Sequence, residues 1–178
     1  MMNTINTVMD MRLDDFTDSA RFGIRGKQVA ARLAQMGYRL PEKPNQAVCQ
    51  NNGEWLARLS QTEFFLLDKP TETQRIAQLE QDWQDSTDCY GLPRQDSHAW
   101  FAVSGSRLPE MMAKLCGVDL SVSVFMPGEV VQSSVARINV VIINVSQTDE
   151  PCFYLLFDRA SADYFQAALA DAMQEFAG

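Results

Sequence analysis

The chain has 178 residues, of which 46% are hydrophobic and 21% are charged, as in ordinary globular proteins. Its 15 basic and 23 acidic residues give a net charge of −8. This balance argues against a nucleic-acid-binding surface and against binding to an anionic membrane, because both need clustered Lys and Arg. No apolar run reaches the roughly 18 positions of a membrane span, and residues 1–15 lack the apolar core of a signal peptide, so we expect a cytoplasmic protein.

Apolar residues at helical or alternating spacing predict a mixture of strands and helices. Residues 1–20 are polar with scattered apolar positions, and we expect them to be loosely ordered. The stretch over residues 38–52 contains prolines, asparagines and a glycine, and we expect it to be loop. The other predicted elements, in chain order, are a helix over 26–36, strands over 55–59 and 64–67, a helix that opens at Thr71, a strand over 97–103, a helix over 108–115, strands over 129–138, 140–146 and 152–157, and a helix over about 161–176.

An internal repeat is the most informative feature of the sequence. Any one match of this kind means little, but the same order of pieces occurs twice, which indicates a duplication. We therefore expect one domain over residues 21–178, made of two repeats at about 21–90 and 91–178, each of the form β-α-β(2-3)-α. The matching segments are Phe22-Gly-Ile-Arg-Gly26 with Phe101-Ala-Val-Ser-Gly105 (offset 79), Ser60-Gln-Thr62 with Ser146-Gln-Thr148 (offset 86), and Phe64-Phe-Leu-Leu67 with Phe153-Tyr-Leu-Leu156 (offset 89).

The residues that carry chemistry form no recognisable active site. His98 is the only histidine, it lies in a predicted strand, and no GxSxG motif accompanies it. The four cysteines are widely spaced and form no CxxC motif, so we expect reduced thiols and no metal site. No dinucleotide-binding fingerprint is present. We therefore predict no catalytic residues, which favours a binding or scaffolding role.

Three stretches of the second half carry a resemblance to a known family. They are Asp96-Ser-His98 with Phe101-Ala-Val-Ser-Gly105, then Lys114-Leu-Cys-Gly-Val-Asp-Leu120 with Phe125-Met-Pro-Gly128 and Val135-Ala-Arg137, and last Phe153-Tyr-Leu-Leu-Phe-Asp-Arg-Ala-Ser-Ala162. In order and spacing they resemble the gamma subunit of heterotetrameric sarcosine oxidase, which belongs to the folate-binding superfamily of the glycine-cleavage T-protein (aminomethyltransferase). This sequence departs from the family pattern at Gly117, where the family has proline, and in a longer segment after Trp55.

The resemblance implies an α+β fold of duplicated half-domains, the T-protein-like folate-binding fold, in agreement with the repeat. It implies a non-catalytic structural subunit in a complex that demethylates N-methylglycine (sarcosine) to glycine and passes the one-carbon unit to tetrahydrofolate. No cofactor is expected on this chain, whereas FAD, FMN, NAD and tetrahydrofolate are expected on the larger alpha and beta subunits. The candidate ligand or partner contacts are Asp119, Phe125, Pro127, Gly128 and Arg159. When isolated, such a chain could self-associate.

Two alternatives stay open within the same superfamily. The first is a stand-alone tetrahydrofolate-binding or one-carbon transfer protein, for which Asp119 and Glu129 lie near the region where folate-binding members offer a carboxylate to the pterin. The second is the iron–sulfur-maintenance branch, whose K-G-C-[FY]-x-G-Q motif shares only Lys114 and Cys116 with this chain.

Overall fold

The computed structural model describes residues 3–8, 10–68 and 74–176 of the chain. In this part the chain forms two antiparallel sheets and four α-helices, which confirms the predicted α+β class. None of these helices is long and apolar enough to cross a membrane. In chain order the elements are β1 (Asn3–Val8), β2 (Met11–Asp15), β3 (Arg21–Arg25), α1 (Val29–Gln35), β4 (Gln46–Cys49), β5 (Trp55–Arg58), β6 (Glu63–Leu67), α2 (Arg75–Asp82), β7 (Tyr90–Pro93), β8 (His98–Ser104), α3 (Leu108–Leu115), β9 (Val130–Val135), β10 (Ile138–Asn144), β11 (Cys152–Asp158), a 3₁₀ turn (Arg159–Ser161) and α4 (Ala162–Gln174).

The chain divides into two compact units. Unit 1 consists mainly of residues 18–96, and unit 2 combines residues 2–17 with residues 97–178. The sheet of unit 1 has the strand order β4-β5-β6-β3-β7. The sheet of unit 2 has the order β1-β2-β8-β11-β10-β9.

In unit 1, helices α1 and α2 cover one face of the sheet. Val29 and Leu33 lie one turn apart on α1, and Ile76 is the buried residue of α2. Alternate strand residues face them, because successive side chains of a strand point to opposite sides. The buried core residues are Phe22, Ile24, Val29, Leu33, Tyr38, Leu56, Phe64, Leu66, Ile76 and Cys89.

In unit 2, α3 and α4 cover the equivalent face of the larger sheet. α4 presents Phe165, Leu169, Ala172 and Met173 to the core, which is the spacing of an amphipathic helix. The ring of Phe165 lies 4.4 Å from that of Phe157 between centroids. Full burial of one such side chain stabilises the fold by about 1.5–3 kcal/mol.

The two sheets repeat one pattern of strand pairing. In unit 1, Ile24 of β3 pairs with Phe64 of β6; in unit 2, Val103 of β8 pairs with Phe153 of β11. These pairs are related by the offsets of 79 and 89 residues found in the sequence. The segments that match in sequence therefore occupy equivalent positions. The same holds one strand further out, where the pair Leu56 and Leu66 is equivalent to the pair Ile142 and Leu155.

The strand that precedes β3 in the chain belongs to the sheet of unit 2, and the strand that precedes β8 belongs to the sheet of unit 1. β2 precedes β3 in the chain but pairs with β8, and β7 precedes β8 but pairs with β3. The registers are equivalent, because Arg12 faces Ser104 as Tyr90 faces Arg25. β2 and β7 are thus exchanged between the two sheets, and the exchange extends the equivalent pattern to residues before position 21.

A glycine ends the first paired strand of each repeat and lies close to the exchanged strand. Gly26 has a φ of +139° and Gly105 has a φ of +135°, values that favour glycine. A Cβ on Gly26 would lie 2.1 Å from the carbonyl oxygen of Asp88, and one on Gly105 would lie 2.7 Å from the Cα of Met11. The repeated glycine therefore permits the close approach of two backbones.

The prediction of loose order at the N-terminus is wrong for residues 3–8 and 11–15, which form β1 and β2. Met11 and Leu13 are fully buried in the core of unit 2, and Leu13 pairs with Val103. The scattered apolar residues of this stretch are thus at the alternate positions of a strand. Their partner lies about 90 residues away in sequence, where local patterns give no signal.

The predicted elements differ from the structure in other places as well. The expected loop over residues 38–52 contains the short strand β4, and β7 was not predicted. The strand predicted over 129–138 ends at Val135, because Ala136 and Arg137 adopt φ of +48° and +69° and turn the chain into β10. The predicted helix start at Thr71 lies outside the described residues, and α2 begins at Arg75.

Candidate functional site

A groove of about 630 Å³ lies at one end of the sheet of unit 2. This volume is within the range of small-molecule sites. Its apolar lining includes Val141 and Leu156, which are paired across β10 and β11. Leu156 is absent from the helix-facing core of unit 2, whereas its neighbours Leu155 and Phe157 belong to it. The groove therefore opens on the sheet face opposite the helices.

Polar side chains from four of the six strands, β8, β9, β10 and β11, line the same end of the sheet. Ser134 of β9 pairs with Asn139 of β10, and His98 of β8 pairs with Asp158 of β11. Side chains at directly paired positions lie roughly 4.5–5.5 Å apart between Cβ atoms. Gln132 adds an amide, so hydroxyl, amide, imidazole and carboxylate groups border an apolar surface.

The only histidine of the chain thus lies on the wall of this groove. The Nδ1 of His98 is 2.8 Å from the hydroxyl of Ser97, which also lines the groove. The carboxylate of Asp158 accepts a hydrogen bond of 2.9 Å from the backbone N–H of Ala160 and so supports the turn after β11. Because this carboxylate is engaged in the turn and the hydroxyl belongs to the neighbouring residue, the arrangement supports ligand binding better than nucleophilic catalysis. Within the described residues, no group of three His, Cys, Asp or Glu is placed to hold a metal ion.

Sequence reasoning missed most of this groove. It placed His98 in a strand with no catalytic role and did not single out Gln132, Ser134 or Asn139. The sequence signal for these residues was the alternation of polar and apolar positions along β9. Gln132 and Ser134 are exposed and lie between buried or half-buried residues of that strand. The pairing that brings these strands together with β8 could not be seen locally.

Three of the predicted contact residues lie in one loop before β9. Phe125 is buried, and its ring lies 5.1 Å from that of Phe153. Asn144 donates a hydrogen bond of 2.7 Å to the carbonyl of Phe125 and accepts one of 2.8 Å from the N–H of Gly128. Gly128 has a φ of +83°, so Pro127 and Gly128 form a tight turn. Phe125 and Gly128 hold the loop in place, and Pro127 is exposed on it.

The other two predicted contact residues occupy different places. Asp119 is exposed, and the backbone N–H of Ser121 donates to its carboxylate at 2.9 Å, which lowers the pKa of Asp119. Arg159 follows the end of β11, six residues beyond Phe153, a distance of about 20 Å along a strand. The structure therefore brings together Phe125, Pro127 and Gly128 but does not bring Arg159 to them.

The loop that contains Asp119 and Pro127 also exposes apolar side chains. Of the six large hydrophobic side chains that are exposed in the described residues, four lie here. Val122 is 65% exposed and alternates with serines. Only one charged residue, Asp119, occurs over residues 115–128. We call residues 117–128 the apolar loop; its exposed hydrophobic members are Val118, Val122, Val124 and Met126.

Two residues of the alternative interpretations have structural roles. Cys116 is buried in the core of unit 2 at the end of α3, and its N–H donates to the carbonyl of Met112 at 2.9 Å. Glu129 accepts a hydrogen bond of 2.7 Å from the N–H of Met126. The carboxylate that borders the groove is therefore that of Asp158, and neither Asp119 nor Glu129 lines it.

No protein-family model matches the chain, and no curated protein matches it. Among solved structures, it is similar to a chain of the heterotetrameric sarcosine oxidase from Corynebacterium sp. U-96 in complex with pyrrole 2-carboxylate. The TM-score is 0.81 at 19% identity, and the match covers 98% of this chain and 89% of that chain. It is also similar to the glycine cleavage system aminomethyltransferase T from Bartonella henselae, with a TM-score of 0.63 at 16% identity over 92% of this chain and 46% of that chain. The chain therefore has the T-protein-like folate-binding fold that the sequence predicts.

Proposed function

We propose that this chain is a non-catalytic, gamma-like subunit of a sarcosine-oxidase complex. The observation that carries the proposal is the near end-to-end match to one chain of a heterotetrameric sarcosine oxidase, 98% of this chain against 89% of that one. The aminomethyltransferase, by contrast, is more than twice as long as the matched region. A match over nearly all of both chains supports a role as a subunit. The complex would demethylate sarcosine oxidatively to glycine and pass the one-carbon unit to tetrahydrofolate.

In this proposal the chemistry takes place on the larger alpha and beta subunits, which would hold FAD, FMN, NAD and tetrahydrofolate. The chain's own residues support that division, because the groove wall carries groups suited to binding rather than to nucleophilic attack. All four cysteines are in the described part of the chain, and none of them forms a disulfide. Free thiols fit a reducing compartment, and we place the complex in the cytoplasm.

The apolar loop is the surface that we assign to the larger subunits. Exposed apolar residues that cluster in one place mark interaction sites more often than scattered ones do. Pro127 and the exposed residues around it would make the contact, and Phe125 and Gly128 would fix the loop that presents them. Asp119 would lie at the border of this contact, and Arg159 would belong to a separate one.

Co-expression with candidate alpha and beta subunits tests the proposal. The tagged chain should retain the larger subunits and a flavin absorption spectrum, and the purified complex should oxidise sarcosine. A triple variant, Val122→Ser with Val124→Ser and Met126→Ser, should reduce retention of the larger subunits at least tenfold, whereas Met36→Ser in unit 1, also at an exposed apolar residue, should not. Full retention by the triple variant would refute the assignment of the loop, and failure of the wild type to retain a flavoprotein would refute the subunit role.

The groove of unit 2 favours a second candidate, a stand-alone tetrahydrofolate-binding or one-carbon transfer protein. Its volume of about 630 Å³ and its mixture of apolar and hydrogen-bonding groups suit a small heterocyclic ligand. Tetrahydrofolate at one hundred times its Kd would add about 2.7 kcal/mol to the free energy of unfolding. An unchanged melting temperature at millimolar tetrahydrofolate, or an equal rise in the Asn139→Leu variant, would exclude this groove as a folate site.

A further inference from the structure

Unit 1 contains two adjoining cavities that no part of the proposed function uses. They share walls at Met36, Tyr38 and Arg75. The smaller, of about 250 Å³, is also lined by Arg39 and by side-chain amides such as that of Asn51. The larger, of about 470 Å³, extends along α2 to Leu79. One side of this cleft is thus cationic and amide-rich, and the other is apolar.

Arg75 is fixed at the junction of the two cavities by a buried carboxylate. Its Nε lies 2.6 Å from the Oε1 of Glu54, whose side chain is only 2% exposed. Its Nη2 donates to the hydroxyl of Tyr38 at 3.2 Å, and that hydroxyl donates to the Oε2 of Glu54 at 3.3 Å. Burial raises the pKa of Tyr38, so the hydroxyl stays protonated and remains a donor. The guanidinium is therefore held in one orientation while half of the Arg75 side chain remains exposed.

The second repeat shows that the fold does not require this ionic cluster. Trp55 and Val141 occupy equivalent positions, so Glu54 is equivalent to Val140, which packs in the apolar core of unit 2. Burial of a charge pair gives little net stability compared with apolar residues of similar volume. Glu54 is charged where unit 2 has the apolar Val140, which indicates that Glu54 serves a function other than packing.

Arg39 brings a second guanidinium to the smaller cavity. Its backbone N–H donates to the side chain of Gln50 at 2.9 Å, and its Nη2 donates to the carbonyl of Cys49. A guanidinium carries more N–H donors than either arginine uses in the contacts described. Arg39, Arg75 and Glu54 together carry a charge of +1, and the buried carboxylate of Asp68 accepts a hydrogen bond of 3.5 Å from the N–H of Ile76, next to Arg75. Both carboxylates are buried and both guanidinium groups line the cavity, so an anion in the cleft would meet the cationic groups first.

We propose that the cleft binds a small organic oxyanion, a carboxylate or a phosphate monoester, between Arg39 and Arg75. The planar fork of a guanidinium matches both groups, and the amide of Asn51 can donate to the same oxygens. The apolar part of the ligand would lie against Met36 and Leu79. This site depends only on unit 1 and does not require that the chain be a subunit of a complex.

Amide NMR titration of the full chain at constant ionic strength tests the proposal, with inorganic phosphate, phenyl phosphate and benzoate as probes. We expect saturable shifts at Arg39 and Asn51, and tighter binding of phenyl phosphate than of inorganic phosphate because of the apolar wall. Preference for benzoate over phenyl phosphate would identify a carboxylate ligand, and the reverse a phosphate monoester.

Two variants and a matched control make the result specific. Arg75→Met and Arg39→Met should each weaken binding about tenfold or more, as expected for the loss of charge-assisted hydrogen bonds. Arg39→Met leaves the buried Glu54 paired, so it remains informative if Arg75→Met fails to fold. Arg107→Met removes a half-exposed arginine of unit 2 that pairs with Glu110 and lies over the ring of Phe176, and it should bind as the wild type does. Absence of saturation by all three probes below about 10 mM, or equal affinity of Arg39→Met and Arg107→Met, would overturn the proposal.

Discussion

Replacement of Gly26 by alanine tests whether the close backbone approach at the end of β3 stabilises unit 1. The φ of +139° strains any residue with a Cβ, at about 1–3 kcal/mol. The new Cβ would also lie 2.1 Å from the carbonyl oxygen of Asp88, so that backbone must move. The N–H of Gln28 then loses its 2.9 Å hydrogen bond to the same oxygen, at about 1 kcal/mol. We expect the free energy of unfolding to fall by about 3 kcal/mol or more.

Gly37→Ala is the matched control for this experiment. Gly37 also has a positive φ, +89°, but no atom lies within 4 Å of the Cβ that alanine would add. Only the conformational strain remains, about 1–2 kcal/mol. Urea unfolding followed by circular dichroism and tryptophan fluorescence would measure both variants. If both variants lose the same free energy of unfolding, the contact between Asp88 and Gly26 adds nothing to stability, and the claim that this close backbone approach stabilises unit 1 is refuted.

Three further predictions concern the core, acid stability and thiol reactivity. Phe165→Ala should lower the free energy of unfolding by about 3–5 kcal/mol in a urea titration, because Phe165 is fully buried, whereas Tyr164→Ala on the exposed face of α4 should lower it by less than half as much. Hydrogen bonds from the side chain and backbone of Ser106 lower the pKa of Asp10 below its usual 3.8. These hydrogen bonds therefore stabilise the folded chain fully above pH 3.8, and the stabilisation is lost as the pH falls through the lowered pKa of Asp10. The difference in stability between wild type and Asp10→Asn should therefore be constant from pH 7 to about 5 and shrink at lower pH, and a difference that grows on acidification would contradict this assignment. Burial raises the pKa of Cys152 to about 11, so about one molecule in a thousand has this thiol ionised at pH 8. Since the thiolate is the reactive form, treatment with iodoacetamide followed by mass spectrometry should find Cys152 unmodified in the folded chain and modified in the unfolded chain.

The sequence contains enough information for the repeat and for most of the elements within it. Segments such as Phe64–Leu67 and Phe153–Leu156 keep the same apolar order because each is the central strand of an equivalent sheet, covered by helices. The exchanged strands β2 and β7 could not be predicted, because they are short and their partners are decided by topology rather than by local pattern. Met11 and Leu13 illustrate this, since their burial depends on a strand that begins at His98.

The candidate sites were less accessible to sequence reasoning than the fold. A motif such as Phe125-Met-Pro-Gly128 was found, but half of its residues maintain the loop instead of forming a surface. The groove of unit 2 is made by polar residues of separate strands, and the cleft of unit 1 is made by residues of loops and of α2 that are distant in sequence. Glu54 stands out only beside its equivalent Val140, a comparison that requires the register of both sheets.

The exchange of β2 and β7 has a consequence for the order in which the chain can fold during synthesis. All five strands of the unit 1 sheet lie within residues 21–93, so this sheet can close when little more than half of the chain has been made. β1 and β2 are made before any of them, but β2 must wait for β8, whose residue Val103 is 90 positions after Leu13. Until then the apolar side chains of Met11 and Leu13 have no core to enter. β1 and β2 can pair with each other early, but this hairpin is among the last parts of the two sheets to join its own sheet. It is therefore the segment that most needs protection from aggregation while the second half of the chain is synthesised.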